Sequence, residues 1–291
     1  MAERIVIRSD ALVAEIAPVG AELQSLTTAQ GHELMSSGDP AFWTGRAPLL
    51  FPIVGRLNED ALRLGDRVFS LEKHGFARRA LFDVIATTEN AATFRLTDDA
   101  ASRAHYPFAF ALDAAFALEG ATLTMDVTVT NTGDDVLPFS VGYHPAFAWP
   151  LPFGGERADH VVVFASDEPA SLCQLDKDGM IVSAPRATPV VGNTLALGDH
   201  LFEADALIWK TLASRRLRYG PPAGPALDIS FPDTDWLGIW TKPGAAFLCI
   251  EPWAGSADDA DYSGDFRDKP GVLALAPGTS RAFRMNVSLV G

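Results

Sequence analysis

Two short segments of this 291-residue chain carry a reactive side chain followed directly by proline. In Gly142-Tyr143-His144-Pro145-Ala146-Phe147 the group is an imidazole, and in Ile250-Glu251-Pro252-Trp253 it is a carboxylate. A residue before proline is biased towards extended backbone, which puts His144 and Glu251 at strand ends, where a rigid scaffold projects them. Two further segments, Phe51-Pro52-Ile53-Val54-Gly55-Arg56 and His74-Gly75-Phe76-Ala77-Arg78, set basic side chains beside glycine. The glycine after His74 lets the backbone turn and lets a ligand approach closely. An imidazole and a carboxylate together suit reversible proton transfer near neutral pH, once their pKa values are tuned. Taken singly, each residue also has a structural explanation. A lone histidine in a β protein is most often a hydrogen-bonded structural residue. A glutamate ending the apolar run Ala245–Ile250 is as well explained by an ion pair, with Arg56 as the partner, as by catalysis.

The elements that must hold these groups are strands. From Thr122 to Thr130 the chain alternates without a fault, with Leu123, Met125, Val127 and Val129 on one face and threonines and Asp126 on the other. Similar patterns occur at Arg4–Arg8, Ala11–Ile16, Leu81–Thr87, Ala92–Leu96 and Phe108–Leu118, and again at Leu237–Trp240, Ala246–Ile250 and Arg281–Leu289. Several of these runs are apolar on both faces, as strands inside stacked sheets would be. Helical pattern is confined to Asp98–His105 and a short piece near Phe202–Asp205, so strand–helix alternation is missing. Leu151–Gly198 reads as turn residues between short strands, and no repeat or linker divides the chain. The expected fold is all-β: one domain over residues 1–291, a large antiparallel β-sandwich with long loops.

Composition narrows the function classes. Hydrophobic residues make up 48%, enough for a sizeable core, and 44 glycines and prolines suit a turn-rich β protein. A net charge of −14 repels nucleic acid and anionic membrane, so neither is an expected partner. No run of 18 apolar residues and no signal-peptide pattern after Met1 is present, which reads as a cytoplasmic protein, monomeric or homodimeric. The two cysteines, Cys173 and Cys249, form no C-x-x-C motif and are expected to be unpaired structural thiols. The six histidines show no H-x-x-x-H pairing, so no dedicated metal site is expected. Without a P-loop or a G-x-G-x-x-G after a strand, no nucleotide cofactor is expected either.

In this order and spacing, the four segments resemble the aldose 1-epimerase (galactose mutarotase) superfamily, most closely its bacterial branch of LacX-like and hexose-6-phosphate mutarotases. The likeness runs from Gly20-Ala21-Glu22-Leu23-Gln24-Ser25-Leu26 to about Gly271. It implies the family's antiparallel β "supersandwich" and interconversion of the α and β anomers of a hexose without any cofactor. By motif position, it implies Glu251 as general base and His144 as general acid. His74 and Arg56 would hold ring and anomeric oxygens, with Asp205 accepting from sugar hydroxyls. Asp199, Glu203 and Asp228 compete with Asp205 for that last role. Aromatic neighbours such as Tyr143, Phe147 and Trp253 would offer flat faces to sugar C–H groups. The first two motifs are shorter than in better-known galactose mutarotases, which leaves the sugar open. One clue bears on it: from Thr44 to Ala80 the chain carries a net charge of +3 against −17 elsewhere. Arg78 or Arg79 would then grip an anion such as a sugar 6-phosphate, although pairing with surface carboxylates explains these arginines equally well. The alternative reading is a carbohydrate-binding or sugar-sensing protein on the same fold, against which the retained acid–base pair argues.

Overall fold

The computed structural model describes residues 3–291. Its frame is two large sheets in which neighbouring strands run antiparallel. The nine-stranded sheet runs Thr194–Ala196, Val161–Phe164, Arg216–Gly220, Ala226–Ser230, Ser280–Val290, Thr122–Asn131, Phe110–Glu119, Ala91–Thr97 and Asp83–Thr87. The eight-stranded sheet runs Ile181–Arg186, Leu172–Leu175, Leu207–Trp209, Trp236–Trp240, Phe247–Ala254, Val141–Tyr143 and Leu49–Leu50, with Ala146–Ala148 also pairing Phe247–Ala254. A three-stranded sheet over Ile5–Thr28, the hairpin Ala61–Leu64 with Arg67–Ser70, and the long-range pair Leu137–Phe139 with Leu273–Leu275 complete the strands among the described residues. No helix among the described residues is long and apolar enough to cross a membrane.

The period-two reading holds in detail. Leu123, Met125, Val127 and Val129 are all buried, and their strand pairs on both sides over nearly its full length. The core lies between the two large sheets, where Phe164 meets Trp209 edge-on at 5.7 Å and Phe139 meets Phe283 at 6.2 Å. Tyrosines stitch the layers. The buried Tyr143 hydroxyl donates to the Phe283 carbonyl at 2.8 Å and lies 2.9 Å from that of Met125, and Tyr219 reaches the Ala148 carbonyl at 2.7 Å. Each buried hydroxyl is therefore satisfied, without which burial would cost a few kcal/mol.

Two expectations need correction. The strand foreseen as Ala246–Ile250 runs on through Pro252 to Ala254, so Glu251 sits in its middle and not at its end. A proline is tolerated there because Ile250 donates its N–H to the Pro145 carbonyl, and residues two apart point their N–H the same way. The donor that Pro252 lacks would thus face a partner strand already interrupted at His144–Pro145. The helix within Asp98–His105 is a single turn at Ala100–Arg103, capped by Asp99 and Ser102. The second piece is a 3-10 turn at Asp199–Phe202, upstream of the expected place, and it leaves Asp205 in the left-handed region at φ 72°.

Candidate active site

The sheet explains how His144 comes to face Glu251. Phe247–Ala254 pairs twice with the same stretch of chain: Gly142 opposes Trp253 on one side of the break and Ala146 opposes Cys249 on the other. One register spans the interruption, which sets His144 across from Glu251. Side chains alternate along the strand, so Leu248, Ile250 and Ala254 enter the inter-sheet core while Cys249, Glu251 and Trp253 face the other way. There Glu251 and Trp253 line a cavity of about 670 Å³, a size typical of small-molecule sites, while Cys249 stays packed behind it. His144 Nε2 lies 3.1 Å from Glu251 Oε2, with 11% and 3% of the two side chains exposed.

Glycines shape the cavity floor. A Cβ on Gly142 would lie 2.5 Å from Trp253, and one on Gly238, the residue opposing Glu251 on the other side, would lie 2.6 Å from the same indole. Both positions must be bare for Trp253 to lie flat beside the carboxylate. His74 enters from a turn locked onto the Phe51–Arg56 segment. The His74 N–H donates to the Gly55 carbonyl at 2.7 Å, and the Phe51 carbonyl accepts from Phe76 and Ala77. The Gly55 N–H in turn donates to His74 Nδ1 at 3.1 Å. A ring that accepts at Nδ1 must carry its proton on Nε2, so His74 is a fixed, neutral donor in the cavity wall.

Burial sets the electrostatics. It pushes Glu251 well above the usual carboxylate range, opposed by Lys73 and reinforced by Asp205. It lowers His144 to about 3, and His74 falls well below 6.5 from burial first and then from the neighbouring His144, Lys73 and Arg78 charges. The site therefore disfavours separated charge. For His74 the linkage is direct: the unfolded chain binds a proton below pH 6.5 and the folded chain does not, so stability is full above that pH and falls with acidification. A His74→Asn variant keeps an acceptor and tolerates positive φ. We predict that on going from pH 7 to pH 5 it loses on the order of 1–2 kcal/mol less stability than the wild type, by urea denaturation. Parallel pH profiles for the two proteins would contradict a buried neutral His74.

Of the residues singled out from sequence, His144, Glu251, His74, Arg78 and Asp205 line this one cavity. Arg56 does not. Its guanidinium is held by both carboxylate oxygens of Asp60 at 2.7 Å, so it is neither the partner of Glu251 nor a cavity group, and the correction follows from a nearer carboxylate within the same turn. Arg78 and Arg79 part company: Arg79 pairs with exposed Glu72, while the half-buried Arg78 donates to the Lys73 carbonyl at 2.8 Å and leaves Nε without a partner among the described residues. Asp199 and Asp228 are taken by Arg157 and Arg216, which leaves Asp205 and Glu203 at the cavity. Sequence reasoning missed Trp43, whose ring lies 4.9 Å from that of His144, as well as Lys73, Gln174 and Trp240. Trp43 rides on a loop pinned by Arg46 to the Gln24 and Ser36 carbonyls, and no motif marks it.

The aldose 1-epimerase family model matches residues 3–191. The chain belongs to the aldose 1-epimerase family. It is 30% identical over 283 residues to the chromosomal protein LacX of Lactococcus lactis subsp. lactis, covering 94% of this chain and 95% of that one. Among solved structures, a galactose mutarotase related enzyme from Lactobacillus acidophilus is 30% identical with a TM-score of 0.90, over 99% of this chain and 97% of that one. A galactose mutarotase-like protein from Lactobacillus casei is 30% identical with a TM-score of 0.92, over 99% and 100% of the two chains. For this aldose 1-epimerase family member the likeness supports an enzyme of the mutarotase kind. The family match ends before Glu251, whereas the LacX relationship spans nearly the whole chain.

Proposed function

We propose that this protein interconverts the α and β anomers of a hexose, with Glu251 as base and His144 as acid. The observation that carries the reading is their 3.1 Å contact on the cavity floor. The anomeric hydroxyl oxygen O1 and the ring oxygen O5 are both bonded to C1, so base and acid must converge on one small volume. Glu251 takes the O1 proton, and the O1–H electrons form the C1=O bond. The C1–O5 bond breaks, and O5 keeps its electrons and takes the proton from His144. Rotation about C1–C2 and the reverse transfers close the ring on the other face. Ring opening converts carboxylate and imidazolium into carboxylic acid and imidazole, the pair of neutral forms that burial favours. His74, donating through Nε2, steadies charge developing on a sugar oxygen, and Asp205 accepts from hydroxyls. Anomer exchange followed by NMR against the buffer-catalysed rate tests the reading, and no acceleration for any aldose would leave a sugar-binding protein.

The cations support a phosphorylated sugar as the substrate. Arg78 and Lys73 sit together at the cavity, joined by the Arg78 hydrogen bond to the Lys73 carbonyl. A guanidinium with unused donors and an adjacent ammonium suit a phosphate. Glucose 6-phosphate is therefore expected to show the higher kcat/KM over glucose, with an advantage that shrinks as salt rises. Equal values for both sugars would make this a neutral-aldose mutarotase.

A further inference from the structure

Behind the proton-transfer pair stands a thiol that the scheme above does not use. Cys249 and Glu251 are two residues apart on one strand and share the same face of it, and the register that sets His144 against Glu251 sets Ala146 against Cys249. One ligand atom from each of His144, Cys249 and Glu251 lies within 4.8 Å of the other two. Cys249 and Glu251 are 0% and 2% exposed, and Cys249 is a free thiol. Sequence spacing excluded a metal site because it looks for ligands along the chain, whereas these come together across a sheet.

The donor set is selective. Thiolate and imidazole are ligands of soft and borderline cations, while magnesium and calcium prefer all-oxygen shells. Zinc bond lengths to sulfur, nitrogen and oxygen imply ligand separations of about 3.3–3.6 Å in a tetrahedron, so adjustments of about 1 Å would close this cluster. His144 Nδ1, buried without a hydrogen-bond partner among the described residues, holds the ring to no single orientation. Glu251 and His144 line the cavity, which supplies the open fourth position and the route of entry.

We propose that His144, Cys249 and Glu251 form a three-ligand site for a soft divalent cation of the zinc and cadmium class, and that its occupation blocks the cavity floor. Binding displaces two protons to solvent, one from the Cys249 thiol and the one held by the His144–Glu251 pair, and places the cation where the anomeric oxygens must react. The binding stands on the cluster's geometry. The inhibition rests on the proton-transfer roles proposed above.

The test is titration of the intact chain with Cd²⁺, read by thiolate-to-metal absorption in the ultraviolet, together with anomer exchange at each point. One equivalent should saturate the absorption and inhibit exchange, EDTA should reverse both, and Mg²⁺ should do neither. Cys249→Ala should keep anomer exchange, lose the absorption and weaken inhibition at least about tenfold. Cys173→Ala should behave as the wild type. No absorption in the wild type, absorption kept by Cys249→Ala, or absorption lost only in Cys173→Ala would each overturn the site. Should Cys249→Ala fail to fold, competition in the wild type decides: saturating sugar must raise the apparent Kd for Cd²⁺, and an unchanged Kd rejects the overlap. A chain that binds Cd²⁺ through Cys249 but never accelerates anomer exchange would keep the metal site and remove the proposed function.

Discussion

A Glu251→Gln variant is expected to fold normally and to show anomer exchange with kcat lowered at least about 10²-fold, the lower end of general-base contributions. The amide keeps the volume of the side chain and one oxygen near His144, but it cannot accept and return a proton. KM should change little, because the cavity walls formed by His74, Arg78 and Trp253 are untouched. Stability gives an independent check with a definite sign. Glu251 is raised above its unfolded value of 4.5, so its contribution is full below that pH and is lost as pH rises towards the folded pKa. Gln has no such dependence, and the variant should gain on the wild type in denaturation experiments as pH rises above 4.5. A variant that retains full anomer exchange would remove Glu251 from the chemistry.

Gly75→Ala is expected to destabilise the fold by about 3 kcal/mol, from left-handed strain plus overpacking against backbone. Gly75 has φ 66°, and a Cβ there would lie 2.3 Å from the Phe51 carbonyl oxygen. That oxygen accepts from Phe76 and Ala77 and cannot retreat without breaking the junction that holds His74. The variant should therefore show a lower urea midpoint and, in the fraction that stays folded, a higher KM. Wild-type stability would mean that the turn is looser than its hydrogen bonds indicate. His74 itself, at φ 65°, shows how much local strain the same junction carries.

The longer strands, and the segments that carry His144, Glu251, His74, Arg78 and Asp205, were legible because their signals are local. Alternation of the kind seen over Thr122–Thr130 reports a half-buried strand whatever its partners, and it was correct to within a residue or two. The glycine after His74 announced the turn there, which Gly75 makes at φ 66°. Pro252 misled, because a local bias towards a strand end gave way to a partner interrupted at the matching point. Arg56 misled for a similar reason: position in a motif says nothing of which carboxylate is nearer, and Asp60 was.

By itself the sequence determined the all-β class from residue type and short spacing, and its resemblance to the family implied the acid and base candidates. Tertiary structure decided the rest. It chose Arg78 over Arg79, brought in Trp43 from a loop without a motif, and set Cys249 behind Glu251 and His144. It also made Glu251 and His144 poor hosts for charge, because desolvation depends on what surrounds a group in three dimensions. Contacts across a sheet join residues more than a hundred positions apart, and no local pattern encodes which register that pairing takes.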